Sequence, residues 1–156
     1  RKNLEDCVDI ARLHDVVNYR VRTKTLPFEP LDQEPVKFLE KESLGVYKIR
    51  VPRSNHDLDY ISQRIQNCVG KAGYAEKIKA GVVFIVEVLK EDQSFACLEY
   101  SVKHKRFIQA KELRNKEFSD IAFLKSLEKT INKNLYPSLW RRVQSLFSKR
   151  RAKTKA

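Results

Sequence analysis

Cys68, Glu99, Gln109 and Asn115 are the residues of this 156-residue chain whose types and spacing could carry chemistry. A cysteine thiolate is a nucleophile when a base stands within hydrogen-bond reach. His56 precedes Cys68 by twelve residues, about 18 Å along an intact helix and too far to serve it. His14 falls on a remote segment and His104 at a hairpin tip, so their approach is left open. Glu99 and Gln109 lie symmetrically about Lys103-His104-Lys105. With a three-residue loop centred on His104 they stand opposite each other, on one face of an antiparallel pair. Strand interiors disfavour such residues unless they have partners. The pair therefore reads either as a polar site, joined by Asn115 from the following loop, or as a hydrogen-bonded network that fixes hairpin to helix. One carboxylate with no His or Asp partner does not make a metal-dependent nuclease. Neither C-x-x-C nor a paired His offers zinc ligands, so no metal and no cofactor is expected.

The second chemical signal is charge. The chain carries +12, and nine of its 32 Lys and Arg fall in residues 129–156, which hold no acidic residue. The other 23 face 20 Asp and Glu, so the excess belongs mainly to the C-terminal end. Such asymmetry points to a polyanionic partner. Arg141, Arg142, Lys149, Arg150, Arg151, Lys153 and Lys155 are the candidate contacts to nucleic-acid phosphate. A basic amphipathic helix also suits an anionic membrane surface, and a solvated tail without a partner has the same composition. Trp140 lies on the apolar row of this helix, where burial against Leu124 or Leu127 competes with stacking on an unpaired base. Gly70-Lys71-Ala72-Gly73 lacks the G-x-x-x-x-G-K-[ST] pattern of a phosphate-cradling loop. It reads as a helix–helix corner, or as a weak anion site of backbone N–H groups.

The elements that position these residues follow from periodicity. Leu58, Ile61, Ile65 and Val69 are one face of a helix over 55–69, with Ser54 and Asp57 in a capping box and Gly70 at its left-handed C′ position. Gly73 leads into a short helix over 74–80, closed by Gly81. Residues 82–89 are apolar and β-branched, as in a strand covered on both faces. A polar turn over 91–94 joins it to a hairpin of strands 95–102 and 106–111. Before this stretch, 45–51 alternates Val46, Lys48, Arg50 against Tyr47, Ile49, Val51, a strand with one buried face, and 36–42 reads as a helical turn. After it, 119–135 is a helix with Ser119 as N-cap and a Phe118–Phe123 staple. Its buried row is Leu124, Leu127, Ile131 and Leu135. A wide apolar stripe over 4–21 predicts an N-terminal helix. Pro27, Pro30 and Pro35 make 23–35 an extended linker, and Pro137 opens a last helix that ends near Phe147. The predicted organisation is a helix and linker over 1–35, an α+β domain over 36–136, and a basic amphipathic helix and tail over 137–156. The fold class is α+β: a small antiparallel sheet of three to four strands packed with helices and flanked by N- and C-terminal helices.

Cys68-Val69-Gly70, Gly73-Tyr74, Lys77-Ile78, Gly81, Leu98-Glu99-Tyr100-Ser101, Ile108-Gln109 and Asn115 occur at a spacing that resembles the PcfJ-like domain family of conjugative plasmids and phages. The likeness runs over roughly 55–118. It implies that Cys68, Gly70, Tyr74, Glu99, Gln109 and Asn115 are motif residues that cluster, and it places the chain in a mobile element. The family often has His before its C-V-G, where this chain has Asn67, so a chemistry needing that His is not carried over.

Composition bounds the remaining choices. With 42% hydrophobic and 33% charged residues the chain can build a core. Three cysteines, Cys7, Cys68 and Cys97, form no disulfide framework and suit a reducing compartment; the resemblance implies the bacterial cytoplasm or the inside of a phage particle. Cys68 and Cys97 sit in apolar company and read as buried small hydrophobes. No apolar run approaches the ~20 residues of a membrane span. The chain starts at Arg1 and lacks Met, as a piece of a longer product would. The leading expectation is a nucleic-acid-associated accessory domain of a mobile element or phage. The alternatives are an enzyme with a site around Cys68, Glu99 and Gln109, and a protein–protein module of a larger particle.

Overall fold

The β-branched run in the middle of the chain becomes β2 (Val83–Lys90), and the sheet is built on both sides of it. β1 (Tyr47–Arg50), β2, β3 (Gln93–Ser101) and β4 (Arg106–Glu112) lie in that order, all antiparallel. This is a computed structural model, and it describes residues 26–42, 44–70 and 73–137 together with Val17. The expected helices over 4–21 and 137–147 and the basic tail lie outside the described residues, Val17 and Pro137 excepted. None of the described helices is long and apolar enough to cross a membrane.

Strand alternation sends two sets of side chains to opposite faces. Phe84, Val86, Val88, Leu98 and Tyr100 pack with a 3-10 helix (Glu34–Lys41) and with Phe123, Leu127 and Ile131 of α3 (Ile121–Leu135). Val83, Ile85 and Cys97 pack with Leu58, Ile61 and Ile65 of α1 (Asn55–Ile65) and with Tyr74 and Ile78 of α2 (Tyr74–Lys79). The fold is α+β, with helices covering both faces of the sheet. That double cover is why β2 is apolar almost throughout.

One residue of β2 breaks that rule. Glu87 is fully buried on the α1 side. Its carboxylate receives the Arg50 guanidinium from the neighbouring strand and the Ser94 hydroxyl from the other side. Arg50 in turn lies over the Tyr60 ring, 5.4 Å from its centroid. A buried carboxylate is tolerated when it is paired in this way. The Pro-rich stretch contributes a similar device: Gln33 donates to the Pro52 carbonyl (2.8 Å) and accepts from the Ile85 N–H (2.7 Å). It thereby satisfies β2 beyond the end of β1, while Leu31 is buried with α1 and α2.

The ends of the helices depart from the expected positions. Ser54 does cap α1, accepting from Asp57 N–H (3.2 Å), and the Asp57 carboxylate reaches back to Arg53 N–H (2.8 Å). The helix stops at Ile65, with Gln66 in the left-handed conformation (φ 57°). Gly70 is thus not its C′ residue. A Cβ on Gly70 would meet Asp59 Cα at 2.8 Å and Ser62 Cβ at 3.0 Å; the glycine is there so that the returning chain can lie against α1. Gly81 (φ 66°) does close α2: Val82 N–H bonds to Lys77 O (3.0 Å) and Gly81 N–H to Ile78 O (2.9 Å), the paired bonds of a Schellman end. The N-cap of α3 is Asp120, which accepts from Phe123 N–H (2.9 Å), in place of the expected Ser119. Ser119 is engaged by Glu112. With the cap moved by one residue the Phe118–Phe123 pair loses staple register, yet the rings remain 5.7 Å apart within an aromatic cluster that includes Tyr47 and Phe95.

The β2–β3 turn is two residues, Glu91 and Asp92, both left-handed, as a tight hairpin requires; it is shorter than the expected 91–94. In the β3–β4 hairpin Glu99 does pair with Gln109. Towards the tip the register slips by one, Tyr100 facing Phe107, so Ile108 is a bulge residue and the loop is four residues, 102–105, rather than three.

Candidate functional site

On the α1 side of the sheet, β3 and β4 carry adjacent polar pairs, Glu99 with Gln109 and Cys97 with Lys111. The turn after α1 and the start of α2 close over them. The result is a cleft lined by Asn67, Cys68, Val69, Tyr74, Ile85, Cys97, Glu99, Gln109, Lys111 and Asn115. Its free space is ≈ 20 Å³, room for about one water molecule.

Glu99 sits at the centre, 5% exposed. The Tyr74 hydroxyl lies 3.0 Å from its Oε2 and 3.5 Å from Oε1 of Gln109. Burial, with the Glu99 charge next, raises the Tyr74 phenol well above its ordinary range. Tyr74 is therefore a protonated donor to the carboxylate across the physiological pH range. The ammonium of Lys77 lies 4.5 Å from the centroid of the same ring. Gln109 is exposed at the rim, and so is Asn115, held left-handed (φ 59°) in the 3-10 turn Leu113–Asn115. The Lys111 ammonium is taken by Glu117.

The two cysteines differ. Cys97 is buried, and burial pushes its thiol up to about 12 even though the Asn67 side chain bonds to it and pulls the other way. Such a thiol is inert at neutral pH. Cys68 is exposed, against the expectation of a buried small hydrophobe. The cause is the early stop of α1, which leaves Cys68 in an irregular turn instead of on the helix face that continues Ile65. Among the described residues no histidine lines the cleft. His56 Nε2 is bonded to the Leu26 carbonyl (2.9 Å), and His104 Nδ1 to the Ser101 hydroxyl (3.0 Å); His14 lies outside the described residues. Among the same residues no group of His, Cys, Asp and Glu could hold a metal ion. The cleft offers a carboxylate, a phenol, three amides and one accessible thiol, which suits hydrogen-bonded recognition of a small polar group more directly than base-assisted attack.

Cys68, Tyr74, Glu99, Gln109 and Asn115 are thus brought together, while Gly70 supports the turn from behind. Asn67, Cys97 and Lys111 line the same space without having been singled out as site residues. Two of the three were legible: Cys97 is two residues before Glu99 and Lys111 two after Gln109, so strand alternation puts them on the same face. The phosphate-contact candidates Arg141, Arg142, Lys149, Arg150, Arg151, Lys153 and Lys155 lie outside the described residues.

A family model described as PcfJ-like protein matches residues 4–135. No curated protein and no solved structure matches the chain.

Proposed function

The chain belongs to the PcfJ-like protein family, and from that membership we propose that it is a nucleic-acid-associated accessory domain of a mobile genetic element or phage. It contacts DNA or RNA phosphates through its basic C-terminal end. The observation that carries this reading is the charge segregation: nine Lys and Arg with no acidic residue in 129–156. Phosphate contacts release condensed counterions, so such binding weakens steeply with salt. That segment offers no groove-reading motif, and discrimination among base sequences is correspondingly small. Fluorescence anisotropy with labelled duplex DNA and RNA, at about 50 and about 200 mM salt, is the test. Affinity is expected to fall by roughly a thousandfold or more if six or more phosphates are contacted. Absence of binding at the lower salt would rule the reading out.

A second reading has its own support. Cys68, Glu99 and Gln109 line one cleft with Tyr74 and Asn115, and an enzyme using the Cys68 thiol would be built there. Alkylation with iodoacetamide, mapped by peptide mass spectrometry, tests it. Cys68 is expected to take the label in the folded chain, while Cys97 stays a free thiol until the pH approaches about 12 or the protein unfolds. If Cys68 reacts no faster than an unstructured cysteine at neutral pH, it is not an activated nucleophile, and the cleft is a hydrogen-bonded fastening between hairpin and helix.

A further inference from the structure

The tip of the β3–β4 hairpin is fastened to the last turns of α3. Asn132 donates to the Lys105 carbonyl (2.9 Å) and accepts from the Tyr100 hydroxyl (2.8 Å). The Tyr136 hydroxyl donates to the Val102 carbonyl (3.2 Å), and the Lys105 ammonium stands 4.5 Å from the centre of the Tyr136 ring. These bonds hold a cationic run, Lys103-His104-Lys105-Arg106, at the hairpin tip. Several cations elsewhere on the domain are paired with carboxylates, as in Lys48–Asp92, Lys79–Glu29 and Lys111–Glu117. Lys103 and Arg106 are exposed and have no acidic partner among the described residues. Glu128, the only carboxylate within α3, accepts from the Phe107 N–H (3.0 Å) and keeps its charge. The chain also leaves α3 here: Tyr136, which holds the tip, is followed by Pro137 and then by the basic segment.

We propose that this end of the folded domain is a nucleic-acid contact surface, in which Lys103 and Arg106 of the hairpin tip bind backbone phosphates. The proposal rests on the nucleic-acid reading above and extends it from the tail to a preformed surface. The fastening matters because a tip whose backbone is already ordered loses less conformational freedom on binding than a free chain does. Arg106 adds a planar fork that meets phosphate oxygens in pairs, where Lys103 acts as a point charge. Phosphates, not bases, are the target, because the surface offers cations and no ordered row of amides to read base edges.

The test compares four full-length or truncated proteins by anisotropy on duplex and single-stranded DNA and RNA over a salt series. They are the parent, Lys103→Gln/Arg106→Gln, a control Lys37→Gln/Lys41→Gln with the same loss of charge beside the opposite edge strand, and a chain lacking 149–156. Removing two phosphate contacts should make the slope of log affinity against log salt shallower by about 1.8 on duplex and about 1.4 on single strands. The hairpin variant should then lose about tenfold less affinity than the parent between about 50 and about 200 mM salt, with its melting temperature unchanged. The control should follow the parent. A hairpin variant that matches the parent or the control, while the truncation weakens binding, overturns this proposal and leaves the tail reading standing. A parent that does not bind overturns both.

Discussion

Gly70→Ala is expected to destabilise the domain by about 2–3 kcal/mol, the upper part of the roughly 1–3 kcal/mol for forcing atoms into a filled interior. The added Cβ would lie 2.8 Å from Asp59 Cα, 3.0 Å from Ser62 Cβ and 3.2 Å from the Leu58 carbonyl. Two of these three are backbone atoms, so no rotamer change relieves the contact. The helix they belong to is itself fixed by Leu58, Ile61 and Ile65, each at most 2% exposed. Relief requires the 66–70 turn to move away from α1. That would break the Asn67 N–H bond to Ser62 O (3.1 Å) and draw buried Val69 from its place. The same movement displaces Cys68 from the cleft, so its alkylation rate should change along with stability. Gly45 is the contrast: its φ is +69° but nothing lies within 4 Å of its Cβ position. Gly45→Ala should cost only the left-handed penalty of about 1–2 kcal/mol and leave Cys68 labelling as it was. Denaturant unfolding of the three proteins decides it. A Gly70→Ala chain within about 0.5 kcal/mol of the parent, the usual span of a neutral surface change, would mean that Gly70 has some role other than close approach.

Removal of 149–156 is expected to weaken nucleic-acid binding by about a hundredfold or more at moderate salt and to leave the fold intact. Five cations go with it, Lys149, Arg150, Arg151, Lys153 and Lys155. If each touches a phosphate, the salt slope on duplex flattens by about 4–5. Stability should hold because the buried apolar residues of the described domain fall between Leu31 and Ile131, well before the cut. An unchanged affinity would make the segment a solvated extension or an anchor for a protein partner. A lowered melting temperature would mean that it packs on the domain, and would assign Trp140 and its neighbours to a core of their own.

Much of this architecture was legible because it is encoded over short distances. A β-branched, apolar run can only be a strand that is covered twice, and β2 is one. Gly81 ends a helix by a backbone conformation that few other residues adopt cheaply. Glu99 faces Gln109 because alternation and a short loop leave the hairpin little other register at that point. Local rules erred where two neighbours competed for one role: Ser119 and Asp120 are both good caps, and Glu112 engages the serine from seven residues away.

Only the tertiary structure decided the rest, since it depends on atoms that meet across long separations. Gly70 looked like a helix terminator, and contact with Asp59 and Ser62 gives it another purpose. Cys68 and Cys97 have similar apolar surroundings in sequence, yet the end of α1 exposes one while the sheet buries the other. Glu87 is acceptable inside a β-branched strand because Arg50, 37 residues earlier, reaches it. Tyr74 meets Glu99 across 25 residues, and Asn132 meets Lys105 across 27. Periodicity determines which face a residue takes. Which faces close on one another, and hence where a cleft opens or a charged loop is held, is settled by packing, and no local pattern of residues contains it.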